Sequence, residues 1–199
     1  MVYGFFISAL PMAGAFLIFI FLSVFFFCVG WSFFYEFIPV TWIEEYGMTS
    51  SEIGIFFAYG AGFYALSCGL LIRPVVKRFR SIPILFYTTL FMGLYMLILL
   101  CVSEKFWLWA YLPLLQFFAA LFFPTSATIV SNSVDDSIQG ETLGILQSVD
   151  SFAFATSPIF SGALLGLSAQ MPIIVGSISM FVATLLVGIF LKKELFKKT

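Results

Sequence analysis

The chain contains no histidine. That removes the commonest general base and the commonest metal ligand. Charge is scarce as well. Only 10% of the 199 residues are Asp, Glu, Lys or Arg, against about 25% in ordinary soluble domains. The formal net charge is −1, so nothing points to a nucleic-acid partner. Cys28, Cys68 and Cys101 are odd in number, scattered and set in apolar runs. They make neither a disulfide framework nor a metal-ligand spacing. No nucleophile–base pair stands out. These absences argue against an enzyme and predict neither metal nor cofactor. The N-terminus has no basic residue before its apolar run and no clear cleavage site, which argues against a removable signal peptide.

What is present is oil. Hydrophobic residues make up 62% of the chain and aromatic residues 20%. A soluble domain of this size exposes too much of itself to hide that much apolar surface. The lipid bilayer is the expected solvent and first partner. A membrane-crossing helix needs about 20 apolar residues, and six segments qualify. They run over Ala13–Phe34 (with possible continuation to Ile43), Glu52–Ile72, Ile82–Cys101, Trp107–Val130, Thr142–Gly166 and Ile173–Leu191. The expected fold is an all-α membrane protein. Residues 1–12 form a short apolar segment, 13–191 a six-helix bundle and 192–199 a basic tail. The first segment reads either as an interfacial piece or as the remnant of a longer helix.

Local punctuation agrees with this parse. Thr49-x-x-Glu52 is a capping box that opens the second span. Pro83 and Pro172 fall in first helical turns, where a missing N–H does no harm. Arg73, Lys77, Arg78 and Arg80 follow the second span, and Lys192, Lys193, Lys197 and Lys198 follow the sixth. Only Lys105 falls on the other side. This bias predicts a multi-pass protein of the plasma (inner) membrane with both termini cytoplasmic. The acidic loop "SNSVDDSIQGE" lies on the same side and does not oppose the assignment, because acidic residues contribute little to it.

Six spans divide into three plus three, and an odd number per triplet inverts the second relative to the first. This is the inverted-repeat plan of many secondary transporters. The first span of each triplet carries a late proline, Pro39 and Pro124. Paired interruptions point to a transport pathway; the alternative is that both mark fraying helix ends. The second span has small residues every four positions: Gly54/Ala58/Gly62 and Ala61/Ala65/Gly69. The fifth has Gly140/Gly144/Ser148. Such stripes predict close helix packing. The third and sixth spans are blander and suit lipid contact.

Two long stretches, "GWSFFYEFIPVTWIEEYGMTSSEIGIFFAYGAGFYALSCGLLIRPVVKRFR" and "FFPTSATIVSNSV…QGETLGILQSVDSFAFATSPIFSGAL", resemble the major facilitator superfamily of transporters. They are similar to its seventh and eighth helices and to its tenth and eleventh. The branch they look most like is the tetracycline-exporter-like drug–proton antiporters. The matching positions are Pro124, Gln139, Gly140, Gly144, Ser148 and Pro158. The family's loop signature is a glycine, an acidic residue and paired basics. Here Gly69 is followed by Arg73, Pro74, Lys77 and Arg78 with no acid, the degenerate form often found in second halves. The resemblance implies gating contacts from Gly69, Arg73 and Arg78, while Lys77 and Arg80 read as simple anchors. It also implies half a fold, since family members have about twelve spans in two halves. The expected partners are therefore a small-molecule substrate and either a separate N-terminal six-helix half or a second copy. The expected activity is alternating access, ion- or proton-coupled. A non-transporting remnant or membrane scaffold is the competing reading.

Intramembrane polar residues supply the candidate site. Asp150 lies about 12 Å into the fifth span, near the middle of a core about 30 Å thick. Gln147, Asp150, Ser151 and Phe154 share one face. A lipid-facing aspartate there costs about 2.5–3.5 kcal/mol, so Asp150 is expected to face the bundle or a water-filled cavity. It reads either as a substrate or proton-exchanging carboxylate, or as a structural hydrogen-bonding group joined to Gln116. Gln116 is itself mid-membrane in the fourth span. Glu36 continues a stripe with Cys28 and Ser32 and reads as snorkelling outward. Trp31 and Tyr35 read as packing.

Overall fold

The computed structural model describes residues 13–166, 168 and 170–196. The apolar segment 1–12 and the tail residues Lys197 and Lys198 lie outside the described residues. The described elements are all helical: α1 (Ala13–Tyr46), α2 (Ser50–Leu66), α3 (Ile72–Arg78), α4 (Ser81–Leu99), α5 (Lys105–Ser131), α6 (Gln139–Leu165) and α7 (Met171–Phe196). A π turn, Ser67–Leu71, joins α2 and α3 into one rod. Among the described residues, α1, the α2–α3 rod, α4, α5 and α7 are long and apolar enough to cross a membrane. With 27 residues, α6 is about 40 Å long, but it is more polar than those five.

Short turns reverse the chain. Between α1 and α2, Gly47 adopts φ +59°, a left-handed conformation that other L residues reach at a cost of about 1–2 kcal/mol. The predicted capping box forms. The Glu52 amide donates to Thr49 Oγ1 at 3.3 Å, and the Thr49 amide donates to Glu52 Oε2 at 2.8 Å. Glu52 also pairs with Lys105 at the start of α5. Tyr46 donates to the Val102 carbonyl, and Gln170 donates to Glu45 at 2.5 Å. These contacts tie together the turns at one end of the bundle; Arg73, Lys77, Arg78 and Arg80 lie at the other. Thr49→Ala is expected to cost about 0.5–2 kcal/mol, the usual loss for an N-cap, read as a lower thermal midpoint in detergent.

α1 is the hub. It packs most extensively against α7 and next against α6, while α4 packs between α7 and α5. Ile20, Val24, Phe27, Cys28 and Ile38 of α1 are almost wholly buried. The closest approach is at Gly30 and Gly176. A Cβ on Gly30 would sit 2.6 Å from the Gly176 carbonyl oxygen, and one on Gly176 would sit 2.9 Å from that of Gly30. Gly93 of α4 fits against Met180 and Phe181 of α7 in the same way, less tightly.

The third and sixth spans, whose composition suits lipid contact, have a packed face as well as an outward one. Leu85, Met92 and Met96 of α4 and Met180, Ala183 and Val187 of α7 are fully buried, while Tyr87, Phe91, Leu185 and Ile189 turn outward. Bulky apolar residues suit a core as well as they suit lipid, so richness in them did not separate the two. The small-residue stripes behave oppositely. A Cβ added at Gly54, Gly62, Gly69, Gly140 or Gly144 meets nothing within 4 Å. Among the described residues no helix closes on them. The π turn explains part of this. The Ile72 amide bonds five residues back to the Ser67 carbonyl, which winds Gly69 out of register with Ala61 and Ala65.

The late prolines sit inside continuous helix: α1 runs on for about two turns from Pro39 to Tyr46, and α5 for as many from Pro124 to Ser131. Pro158 likewise lies within α6.

Candidate functional site

The polar residues of α1 meet those of α6 along one seam. Cys28, Ser32 and Glu36 recur every four residues, so each lies one turn above the last on a single face of α1. From α6, Asp150 and Ser157 are two turns apart and face them. The Cys28 thiol donates to Asp150 Oδ1 at 3.4 Å. One turn on, Ser32 donates to Glu36 Oε1 at 2.8 Å and meets the Ser157 hydroxyl directly. Ser157 also reaches Glu36 Oε2 at 3.4 Å. Ala153, fully buried, fills the gap between the two polar levels. The two carboxylates are thus separated by two helical turns, about 11–12 Å along the axis.

Burial differs between the levels. Ser32 and Ser157 are essentially inaccessible. Asp150 is half-buried, and Glu36 keeps an open face although both serines hold it. Ser157 lies eight residues before the end of α6, about 12 Å below it. The acid level at Glu36 therefore lies about two turns in from the end of α6, although Glu36 itself is exposed. Hydrogen bonds of this kind between membrane helices are each worth about 0.6 kcal/mol on average. Their more important effect is to hold two acids at defined depths.

The other sequence candidates are placed apart from these pairs. Gln147 and Ser151 are exposed on α6, with Ser151 donating to the Gln147 carbonyl at 2.9 Å. Ser148 donates to the Gly144 carbonyl at 2.8 Å and borders the open stripe. Gln116 is buried on α5 against α2, where its Nε2 would lie 3.0 Å from a Cβ on Gly60. It is not the partner of Asp150; Cys28 is. Gln116 was matched to Asp150 on depth alone, and depth does not say which way a helix face turns. Ser157 escaped the sequence reading, although its seven-residue spacing from Asp150 is the signal for a shared face.

An aromatic chain flanks α1. Trp31 stacks on Tyr35 with ring centroids 5.4 Å apart, and Tyr35 touches Phe57 of α2 at 5.0 Å. A separate groove of about 570 Å³ lies between α1 and α6, lined by Ile18, Phe21, Leu22, Phe25, Ile145, Ser148, Val149 and Phe152. Its lining is almost wholly apolar, which suits hydrocarbon rather than ionic chemistry.

The seam joins an acid on α6 to an acid on α1, a helix long and apolar enough to cross a bilayer. The family model described as Major Facilitator Superfamily matches residues 20–199. The chain belongs to the Major Facilitator Superfamily. Comparison with curated proteins and with solved structures returns no match. As a superfamily member it is a multi-pass membrane protein of a transporter family rather than an enzyme. Within that family setting the seam can do two things. Its acids can hold or exchange a proton, and they can attract positive charge. The described basic side chains, Arg73, Lys77, Arg78, Arg80 and Lys105, all lie toward the helix ends. Among the described residues, no group of three or more His, Cys, Asp or Glu is clustered for a metal ion.

Proposed function

We propose that this superfamily member forms one six-helix half of a secondary transporter that moves a small molecule by alternating access, coupled to protons at the α1–α6 seam. The observation that carries the reading is the pairing of Asp150 with Cys28 and of Glu36 with Ser32 and Ser157. An acid inside a membrane bundle is costly, and by default marks an ion or substrate path. In this reading α6 also crosses the membrane, as the fifth of six spans, and the helices form a 3+3 inverted repeat beginning at α1 and α5. Pro39 and Pro124 would lie at corresponding positions of its two triplets. α1, the α2–α3 rod, α5 and α6 line the path, while α4 and α7 brace it from behind.

The open small-residue faces at Gly54, Gly62, Gly140 and Gly144 support a complementary helical surface, either an N-terminal half or a second copy. Gly69, Arg73 and Arg78 then gate one end. The clustering of basic residues favours the plasma membrane with cytoplasmic termini. The motif pattern at Pro124, Gln139, Gly140 and Pro158 favours the tetracycline-exporter-like antiporter branch.

The test is flux in proteoliposomes carrying this chain with and without a co-expressed N-terminal half. Proton-driven substrate movement in either sample supports the proposal. Absence of flux in both, with the folded chain present, favours the scaffold reading.

A further inference from the structure

At the end of the bundle away from Lys105, a second cavity of about 300 Å³ lies between α3, the start of α4 and α5. Its walls include Arg73, Val76, Lys77, Ser81, Thr125 and Thr128. Arg73 and Lys77 are one turn apart and share a face of α3. Neither takes part in an ion pair among the described residues, where the pair formed is Lys105 with Glu52 at the opposite end. Ser81 opens α4, whose N-cap residue Arg80 makes no side-chain cap. Pro83 has no N–H and the Ile84 amide donates to the Arg80 carbonyl, so the start of this 19-residue helix offers an anion the amides of Ser81 and Ile82.

The decisive group is Thr125. It is only 3% exposed, lines this cavity, and its hydroxyl has no hydrogen-bond partner. A buried hydroxyl left unpaired is unfavourable. Its neighbour Thr128 is already satisfied, donating to the Pro124 carbonyl at 2.7 Å. One unsatisfied donor, two uncompensated cations and a helix start border one pocket whose walls are otherwise mostly apolar.

We propose that this cavity binds a phosphate group. Arg73 and Lys77 neutralise it, and the Thr125 hydroxyl and the α4 start donate to it. Thr125 lies six residues before the end of α5, about 9 Å from it. That depth matches the boundary between headgroups and acyl chains, so an anionic phospholipid is the favoured bearer and a soluble phosphate the other source. The site is separate from the α1–α6 seam and stands whether or not the chain transports.

The experiment uses the 199-residue chain purified in detergent, titrated with phosphatidylglycerol and followed by native mass spectrometry. One tightly retained lipid per chain is expected, with phosphatidylcholine bound at least about tenfold more weakly. Arg73→Gln combined with Lys77→Gln should weaken retention by about tenfold or more, and Thr125→Val by about three- to tenfold. Thr125→Val removes an unsatisfied hydroxyl at nearly constant volume, so its thermal midpoint should not fall. Arg80→Gln serves as the control, because Arg80 carries the same charge nearby but does not line the cavity. Displacement of the lipid by millimolar inorganic phosphate supports the phosphate site and assigns a soluble source, whereas resistance to displacement assigns a lipid. Retention that is unchanged in Thr125→Val and lowered as much by Arg80→Gln as by Arg73→Gln overturns the proposal, since diffuse charge attraction then suffices.

Discussion

Asp150→Asn is expected to lower proton-driven substrate accumulation by about 5- to 150-fold, the range of a coupling free energy of about 1–3 kcal/mol. Downhill substrate exchange should be nearly unchanged. Asparagine has the shape of aspartate and retains a carbonyl oxygen for the Cys28 thiol, which donates to Asp150 at 3.4 Å. What it loses is the exchangeable proton. The substitution therefore separates a coupling carboxylate from one that only joins helices. A structural bridge would survive the change with both activities intact. A substrate contact would lose exchange and accumulation together.

Stability gives an independent reading of the same variant. A charged aspartate at mid-membrane depth is unfavourable by about 2.5–3.5 kcal/mol where it meets lipid, and the amide is less so. Asp150→Asn should leave the thermal midpoint unchanged or raised. Cys28→Ala is the companion variant. It removes the donor but leaves the acid, and should alter the pH dependence of accumulation more than its maximum. Full proton-driven accumulation by Asp150→Asn would sink the coupling role of the seam.

Helix existence was legible because a membrane span is a local property. About 20 apolar residues announce themselves without reference to any partner, and Thr49 and Glu52 cap α2 through atoms three residues apart. The Cys28/Ser32/Glu36 stripe was legible for the same reason. Its partners were not, because Asp150 and Ser157 lie more than 120 residues downstream and share no periodicity with it. A single helix reports what it offers to a neighbour, not which neighbour accepts. Gln116 illustrates this: its depth suited Asp150, yet α5 turns it toward Gly60. The glycines give the same lesson. Regular stripes at Gly140 and Gly144 suggested contact and stand open, whereas the isolated Gly30 and Gly176 make the tightest contact.

That contact gives the largest expected effect on folding. Gly30→Ala places a methyl group 2.6 Å from the Gly176 carbonyl oxygen. The obstacle is backbone, so no rotamer change relieves it, and α1 and α7 must separate. Overpacking of this kind costs about 1–3 kcal/mol, and Gly30→Leu should abolish the folded chain. Gly176→Ala meets the Gly30 carbonyl at 2.9 Å and should be slightly milder. The two alanine variants combined should cost less than their sum, because one separation of the helices accommodates both methyl groups. Gly140→Ala and Gly144→Ala face open space and should be neutral, or stabilising by about 0.5–1 kcal/mol through helix propensity. Thermal unfolding of the purified chain in detergent ranks these variants. The reverse order, with Gly140→Ala unfolding the chain and Gly30→Ala tolerated, would mean that α1 and α7 do not form its core. With the expected order in hand, Gly140→Leu becomes informative about the proposed complementary surface. It should leave the isolated chain stable and impair transport only where a complementary half or second copy has to close on α6.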